Sequence, residues 1–237
     1  MKLAKIMENI TNWAKTFPES RTDDMVQVVR LGISKGWYLN EVFLFALYRD
    51  FKEEYDLDEF LEYQIVSQWE HFWSVLFRLY PKRQKILNEA KLAYENELYG
   101  AAIHIFFTQT DGIFSDQFGK DFYAARGEKA KNEIGSYLTD FISRESFESL
   151  IEHYKDATVF RRMYNEVYKE GLSITGTDSV IKTDHIANET DLVMPNRHGV
   201  LHGIHTEYGS KINALKCFSL LLFVMYAIHG DATHENI

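Results

Sequence analysis

Apolar residues recur three and four positions apart along most of the chain, which is the spacing that places them on one face of an α-helix. The strict alternation of apolar and polar residues that is typical of a half-buried strand forms no convincing run. Three prolines in 237 residues leave long stretches that no proline interrupts. The pattern therefore predicts an all-α protein that is helical nearly throughout.

Residues 1–80 are predicted to form an N-terminal helical region, whose role stays open. An amphipathic helix over 3–17 ends before Pro18. A second helix begins at Thr22 and closes at Gly36, because glycine readily adopts the left-handed conformation that ends many helices. The first ten residues contain no apolar stretch of signal-peptide length, so export is not expected.

Two further helices are predicted in this region. Asn40 is a good N-cap and starts a short helix, Glu41 to Phe51. A long helix over Leu57–Leu79 starts at Asp58 and is stopped by Pro81, since a proline disfavours the helical conformation in the residue before it. This helix is dense in aromatic side chains, which we interpret as core or interface residues rather than as a surface that stacks bases.

A candidate boundary separates the N-terminal region from a helical domain, 81–237. Pro81 begins a helix that runs through Glu97 or on to Gly100, and a strongly apolar helix follows over Ala101–Phe118. The rest of the domain is predicted as helices 128–142 and 146–169, a long polar loop 170–195 and a final helix 210–228.

The net charge of −9 excludes a protein that coats RNA or DNA over its whole surface, because an acidic surface repels phosphates. Any contact with nucleic acid must be local, and residues 195–216 carry three basic side chains against one acidic one. The single cysteine, Cys217, suits a reducing cytoplasm. The most hydrophobic segment, Ala214 to Ile228, falls short of the roughly 20 apolar residues of a membrane span, so we expect a buried helix and no membrane partner.

The segment Pro195–Gly209 carries the candidate chemistry. Arg197 and His202 are separated by four residues, so in a helix they lie about a turn and a half apart, with His198 in reach of the same cleft. Arginine is always charged and presents a planar fork to two phosphate oxygens, which stabilises charge in a transition state. Histidine takes or gives a proton near neutral pH.

RNA is the substrate that this pair of residue types fits, because it supplies its own nucleophile, the 2′-hydroxyl. A protein then needs only a base, an acid and an anion clamp. The expected products are a 2′,3′-cyclic phosphate and a 5′-hydroxyl. Such chemistry requires neither a metal nor an organic cofactor, and we predict none.

Arg197–His202 fits the signature of an arginine, four to six residues and a histidine that marks the HEPN superfamily. The longer stretch Asn196–Gly203, followed by Tyr208-Gly and by Asn213–Lys216, is similar to a bacterial group within it. The segment Tyr99–Ile113 resembles the first domain helix of that group.

The resemblance implies a HEPN-like helical bundle over roughly 85–229 that forms a homodimer, in which two copies of the motif face one cleft. Many relatives are metal-independent endoribonucleases of toxin–antitoxin, abortive-infection or other defence systems. Others bind nucleotides or have lost activity. By this resemblance Arg197 and His202 are catalytic, and the partners are RNA, a second copy of the chain and an antitoxin protein. His198, next to the arginine, either assists as a second proton donor or packs inside the protein.

Four more residues are candidates for supporting roles. Gln109 and Asp111 lie on a helix that is otherwise too apolar to face water, so each is expected either to orient the arginine and histidine of the motif or to anchor two helices. Asn196 either caps the motif helix or contacts a phosphate. Tyr208 contacts RNA or the second copy, or packs inside the protein.

A metal site is the competing interpretation of His198, His202 and His205, because histidines four residues apart on a helix can share an ion. Several features disfavour it: no glutamate follows the first histidine, no cysteine is near, and Gly199 and Gly203 weaken the helix. The sequence thus predicts a cytoplasmic, metal-independent endoribonuclease. The alternative is a non-catalytic module that binds a nucleotide or a protein through its aromatic N-terminal half.

Overall fold

The computed structural model describes residues 31–119, apart from 33, 53 and 54, and residues 193–229. The part of the chain that it describes is helical and contains no strand, which confirms the all-α prediction. After the end of a helix at residue 34, it comprises seven α-helices and one 3₁₀ turn: α1 Glu41–Asp50, α2 Leu57–Val66, α3 Trp69–Leu79, the turn Pro81–Arg83, α4 Gln84–Glu95, α5 Tyr99–Phe118, α6 Arg197–Leu201 and α7 Lys211–His229.

Several predicted elements lie outside the described residues. They are the helices over 3–17, 128–142 and 146–169, the start of the helix at Thr22, most of the loop 170–195 and the tail after 229.

Two helix ends near residue 40 follow the sequence signals. Gly36 has φ of 82°, and the amide of Trp37 reaches back to the carbonyl of Gly32 at 3.0 Å, which is the long hydrogen bond of a left-handed helix end. Asn40 caps α1, because its side-chain oxygen accepts a hydrogen bond from the amide of Phe43 at 3.0 Å. The predictions that Gly36 closes a helix and that Asn40 opens the next are confirmed.

The prediction of one helix over Leu57–Leu79 is wrong, since Ser67 and Gln68 separate α2 from α3. Both side chains bond to the backbone carbonyl of Gln64, at 3.2 Å each, and so compete with the regular helical pattern. The cap of α2 is Asp56, which accepts from the amide of Glu59, rather than Asp58.

A turn also separates α4 from α5. The backbone of Glu97 has φ of 61°, a left-handed conformation that a continuous helix cannot contain. Consequently α4 ends at Glu95, two residues before the predicted end, and α5 begins at Tyr99. The predicted helix over 101–118 is confirmed as part of α5.

Helix α7 lies at the centre of the core and packs along α5. Every residue from Ala214 to Tyr226 is buried, including Cys217, as the sequence predicts for an internal helix. None of the described helices combines the length and the apolarity that crossing a bilayer requires. Residues on both sides of position 81 contribute to one hydrophobic cluster, and the domain boundary predicted there stays a prediction.

Candidate functional site

The motif helix α6 starts at a well-formed cap. The side-chain oxygen of Asn196 accepts a hydrogen bond from the amide of Gly199 at 3.0 Å, and the Asn196 side chain is buried. Of the two roles considered for Asn196, the capping role is the one that this geometry supports. The cap places Arg197 at the first position of the helix, where its side chain is partly buried.

The same helix ends after five residues, at a glycine. Gly203 has φ of 70°, its amide donates to the carbonyl of Val200 at 3.1 Å, and the amide of Ile204 donates to the carbonyl of Gly199 at 2.8 Å. These two hydrogen bonds form the Schellman motif that ends many helices. His202 is therefore the C-cap of α6 rather than an interior position.

His198 and His202 are brought together at this end of the helix. Their ring centroids are 6.0 Å apart and their planes are nearly parallel, at 11°. The ring of His202 is exposed, whereas that of His198 is partly buried. Two imidazoles at this spacing can exchange protons with the same bound group, so the pairing expected from the four-residue spacing is present.

His205 turns away from this pair. The chain reverses at Gly203, and the buried ring of His205 packs against Gly199, where a β-carbon would collide with it. The absence of a side chain at Gly199 therefore leaves the space that the His205 ring occupies. Within residues 31–119 and 193–229 no group of three or more histidine, cysteine or acidic side chains is arranged to hold a metal ion.

Tyr208 packs against the start of α5. Its ring lies beside Gly100, and its hydroxyl is 3.3 Å from Nδ1 of His104. That nitrogen is also 2.9 Å from the carbonyl oxygen of Gly100, which can only accept, so Nδ1 donates the proton of this hydrogen bond. Internal packing is thus the role that the structure gives Tyr208. His104, to which the sequence assigned nothing, lies next to the motif segment.

Gln109 contacts an arginine that the sequence analysis passed over. Its side-chain oxygen accepts from Nη1 of Arg83 at 3.0 Å, and Arg83 also donates to Asp116 at 2.8 and 3.0 Å. Gly112 makes room for this guanidinium, because a β-carbon there would come within 2.5 Å of Nη1. The contact favours the role of Gln109 as an anchor between the turn 81–83 and α5, rather than as a residue that orients the motif.

Asp111 lies on a different face of α5 from Gln109, because two residues advance a helix by about 200°. It is seven residues after His104 and so shares the face against which Tyr208 packs. Its side chain is partly buried. A supporting role for Asp111 at the motif is consistent with this register and stays a prediction.

A cavity of about 430 Å³ opens at the break between α2 and α3. Trp69 and Tyr94 form its aromatic wall, with their ring centroids 4.5 Å apart. Lys211 lies at its edge and pairs with Glu62. The volume is sufficient for a small planar molecule.

The sequence reasoning also missed Lys216 as a residue with a structural task. Its side chain is 8% exposed, and its Nζ donates to the carbonyl of Val193 at 2.9 Å, just before the motif. The available signal was a lysine inside an otherwise apolar run, because a lysine is almost never fully buried without a partner.

Comparison of the chain with protein-family models, with curated proteins and with solved structures finds no match. The resemblance to the HEPN superfamily stays a prediction from the residues of the motif and of α5.

Proposed function

We propose that this chain is a metal-independent endoribonuclease of HEPN type. The observation that carries the proposal is the stacked pair of His198 and His202, at the end of a capped helix that begins with Arg197. An always-charged guanidinium and two titratable rings on one short element are the groups that RNA cleavage by its own 2′-hydroxyl requires. The exposed ring of His202 is accessible to a polynucleotide.

In the proposed reaction the imidazole of one histidine removes the proton of the 2′-hydroxyl. The 2′-oxygen attacks phosphorus, and the bond from phosphorus to the 5′-oxygen breaks. A second, protonated imidazole donates a proton to the departing 5′-oxygen, so the protons balance. Arg197 stabilises the charge on the phosphate oxygens during the transfer, and we assign His202 as base or acid, His198 as its assistant and Asp111 as an orienting group.

We further propose that the active form is a homodimer, in which the His202 rings of the two copies serve as base and acid and the His198 rings assist them. The net charge of −9 confines RNA contact to the locally basic segment that contains the motif. A cytoplasmic toxin or phage-defence component, with or without an antitoxin protein, is the biological setting that the resemblance implies.

The decisive experiment measures cleavage of a defined single-stranded RNA by the purified protein and by the Arg197→Ala and His202→Ala variants. We expect each variant to lose activity by about a hundredfold or more, since general acid–base catalysis contributes roughly 10²–10⁴-fold. Loss of one group that stabilises transition-state charge costs about 10²–10³-fold. Cleavage should persist in EDTA, and mass spectrometry should find 2′,3′-cyclic phosphate ends.

Matched controls are Arg78→Ala and His71→Ala, which remove an exposed arginine and a partly buried histidine of α3. Both should cleave as the wild type does. Equal cleavage by the wild type and both motif variants would contradict the proposal and would indicate a contaminating nuclease. So would loss of all activity in EDTA.

A specific observation favours a second candidate, a non-catalytic nucleotide-binding module. The cavity is lined by aromatic surface from Trp69 and Tyr94, which a base can contact, and by one lysine, Lys211, whose charge is shared with Glu62. Nucleotides that raise the melting temperature of a protein that leaves RNA intact would support this module over the nuclease.

A further inference from the structure

Lys216 is a buried cation that connects three parts of the chain. Its Nζ donates a hydrogen bond to the carbonyl oxygen of Val193 at 2.9 Å. The same nitrogen is 3.4 Å from Oδ2 of Asp58 and lies 5.7 Å from the centre of the Trp37 ring. Lys216 is held by contacts of three kinds: a carbonyl, a carboxylate and an aromatic face.

Asp58 is itself fixed by a second hydrogen bond. Its Oδ1 accepts from Nε1 of Trp37 at 2.7 Å, and Trp37 is buried at 1% exposure. The carboxylate is thereby oriented toward Lys216 by an indole that cannot move without opening the core. Burial lowers the pKa of Lys216 below its usual value, and the nearby charge of Asp58 offsets part of that shift.

Gly36 also lies directly against Val193, in the segment that leads into the motif helix α6. A β-carbon at Gly36 would come within 2.7 Å of the carbonyl oxygen of Val193, so only glycine permits this approach. On the other side of residue 37, the amide of Tyr38 donates to Oγ of Ser219 on α7 at 3.1 Å. The N-terminal region, α7 and Val193 therefore meet at one point.

The distance along the chain from this point to the motif is short. Three residues follow Val193 before α6 begins, and all three, residues 194–196, are buried. Pro195 has a fixed φ and Asn196 is held by its cap. The position of the Val193 carbonyl thus determines where the axis of α6 starts and where its histidines project.

We infer that Lys216, oriented by Asp58 and Trp37, is a positioning residue for the motif helix. It holds the carbonyl of Val193, and Trp37 and Asp58 of the N-terminal region thereby form part of the support of Arg197 and His202. The consequence for RNA cleavage rests on the proposed function. The structural claim, that this contact orders α6, does not depend on it.

The test compares two lysines of α7. Lys216→Met keeps the apolar stem and removes the cation, whereas Lys211→Met removes the exposed pair with Glu62 and leaves Val193 untouched. Hydrogen exchange is measured at the motif amides 199–205 and at the buried α5 amides 102–107. We expect exchange at the motif to accelerate about tenfold or more in Lys216→Met, with α5 unchanged, and no change at either place in Lys211→Met.

Lys216→Arg should restore protection in part, because it returns a donor to the Val193 carbonyl. If Lys216→Met does not fold, Asp58→Asn serves instead, since that side chain is one-third exposed and its loss removes only the charge partner. Unchanged exchange at the motif would overturn the inference. Equal acceleration at the motif and in α5 would also overturn it, because it would indicate general destabilisation.

Cleavage by the same variants adds a second measurement. We expect kcat on RNA to fall about tenfold in Lys216→Met while KM stays within about twofold, since a small misplacement of catalytic groups affects the chemical step. If the wild type itself does not cleave RNA, the nuclease proposal fails, and the exchange measurement still decides the positioning claim.

Discussion

The motif segment, residues 193–209, and helix α7 are neighbours along the chain, yet they are built in opposite ways. Helix α7 is buried from Ala214 to Tyr226 and owes its place to side-chain packing along its length. The motif segment contains a helix of five residues that is fixed by a few identifiable polar contacts and by glycines. Stability is concentrated in the first region and candidate chemistry in the second.

Because of this difference, substitutions in α7 should change the free energy of unfolding, whereas substitutions of exposed motif side chains should change activity. Loss of a side chain from α7 leaves a cavity, whose cost appears in the free energy of unfolding. Loss of an exposed motif side chain such as His202 is expected to change that free energy by less than about 0.5 kcal/mol. Activity and stability should therefore respond to different substitutions, and three changes test how sharp this division is.

The largest effect on stability is expected for Phe218→Ala in α7. The Phe218 ring is fully buried, and its centroid lies 5.0, 5.1 and 5.3 Å from those of Trp69, Trp73 and Phe106. Removing it should lower the free energy of unfolding by about 3–5 kcal/mol, measured by urea denaturation.

Phe218→Leu is the matched control, because it keeps an apolar side chain at the same position and should cost less than the alanine variant. A loss below about 1 kcal/mol for Phe218→Ala would break the comparison, since it would mean that α7 does not depend on packing at its centre.

Much of α7 could be predicted from the sequence, because a run that is apolar apart from Lys216 and Ser219 leaves a helix no alternative but burial. The fold class and the caps at Gly36 and Asn40 followed from local signals of the same kind. The break at Ser67–Gln68 did not, because apolar spacing continues across it and only the competition for the Gln64 carbonyl reveals the turn.

Part of the site could also be predicted, because some of its contacts follow from local spacing and residue type. The proximity of His198 and His202 follows from their spacing, and the cap at Asn196 follows from its residue type. The contacts of Lys216 with Val193 and Asp58 join residues that are far apart in sequence, so no local pattern encodes them.

An intermediate effect is expected for Asn196→Ala, which removes the cap of α6. The amide of Gly199 would lose its partner at 3.0 Å, at a cost of about 1 kcal/mol in urea denaturation. Asn196→Ser should retain most of the stability because serine also caps helices well. Because the cap also directs the motif helix, we expect the rate of RNA cleavage by Asn196→Ala to fall further than its small loss of unfolding free energy alone would explain. Stability lost without any change in cleavage would contradict that link.

The smallest effect concerns the end of α7, where the helix carries a polar group of its own. Burial holds the pKa of His229 below its usual value of about 6.5, and the charge of Arg78 on α3 lowers the pKa further. The ring also lies 5.3 Å from that of Tyr80, and its Nε2 has no hydrogen-bond partner among the described residues. The folded protein therefore resists a proton that the unfolded chain accepts.

The sign of the pH dependence follows from that difference. Between about 6.5 and the lower pKa of the folded state, the unfolded chain binds more protons, so the free energy of unfolding falls as the pH falls. His229→Gln removes this titration, and the plot of unfolding free energy against pH should become flatter below about 6.5 while the values near neutrality change little. Urea denaturation of both proteins across this range measures the two slopes. Parallel curves would mean that burial at the end of α7 does not oppose protonation, and that α7 depends on packing alone.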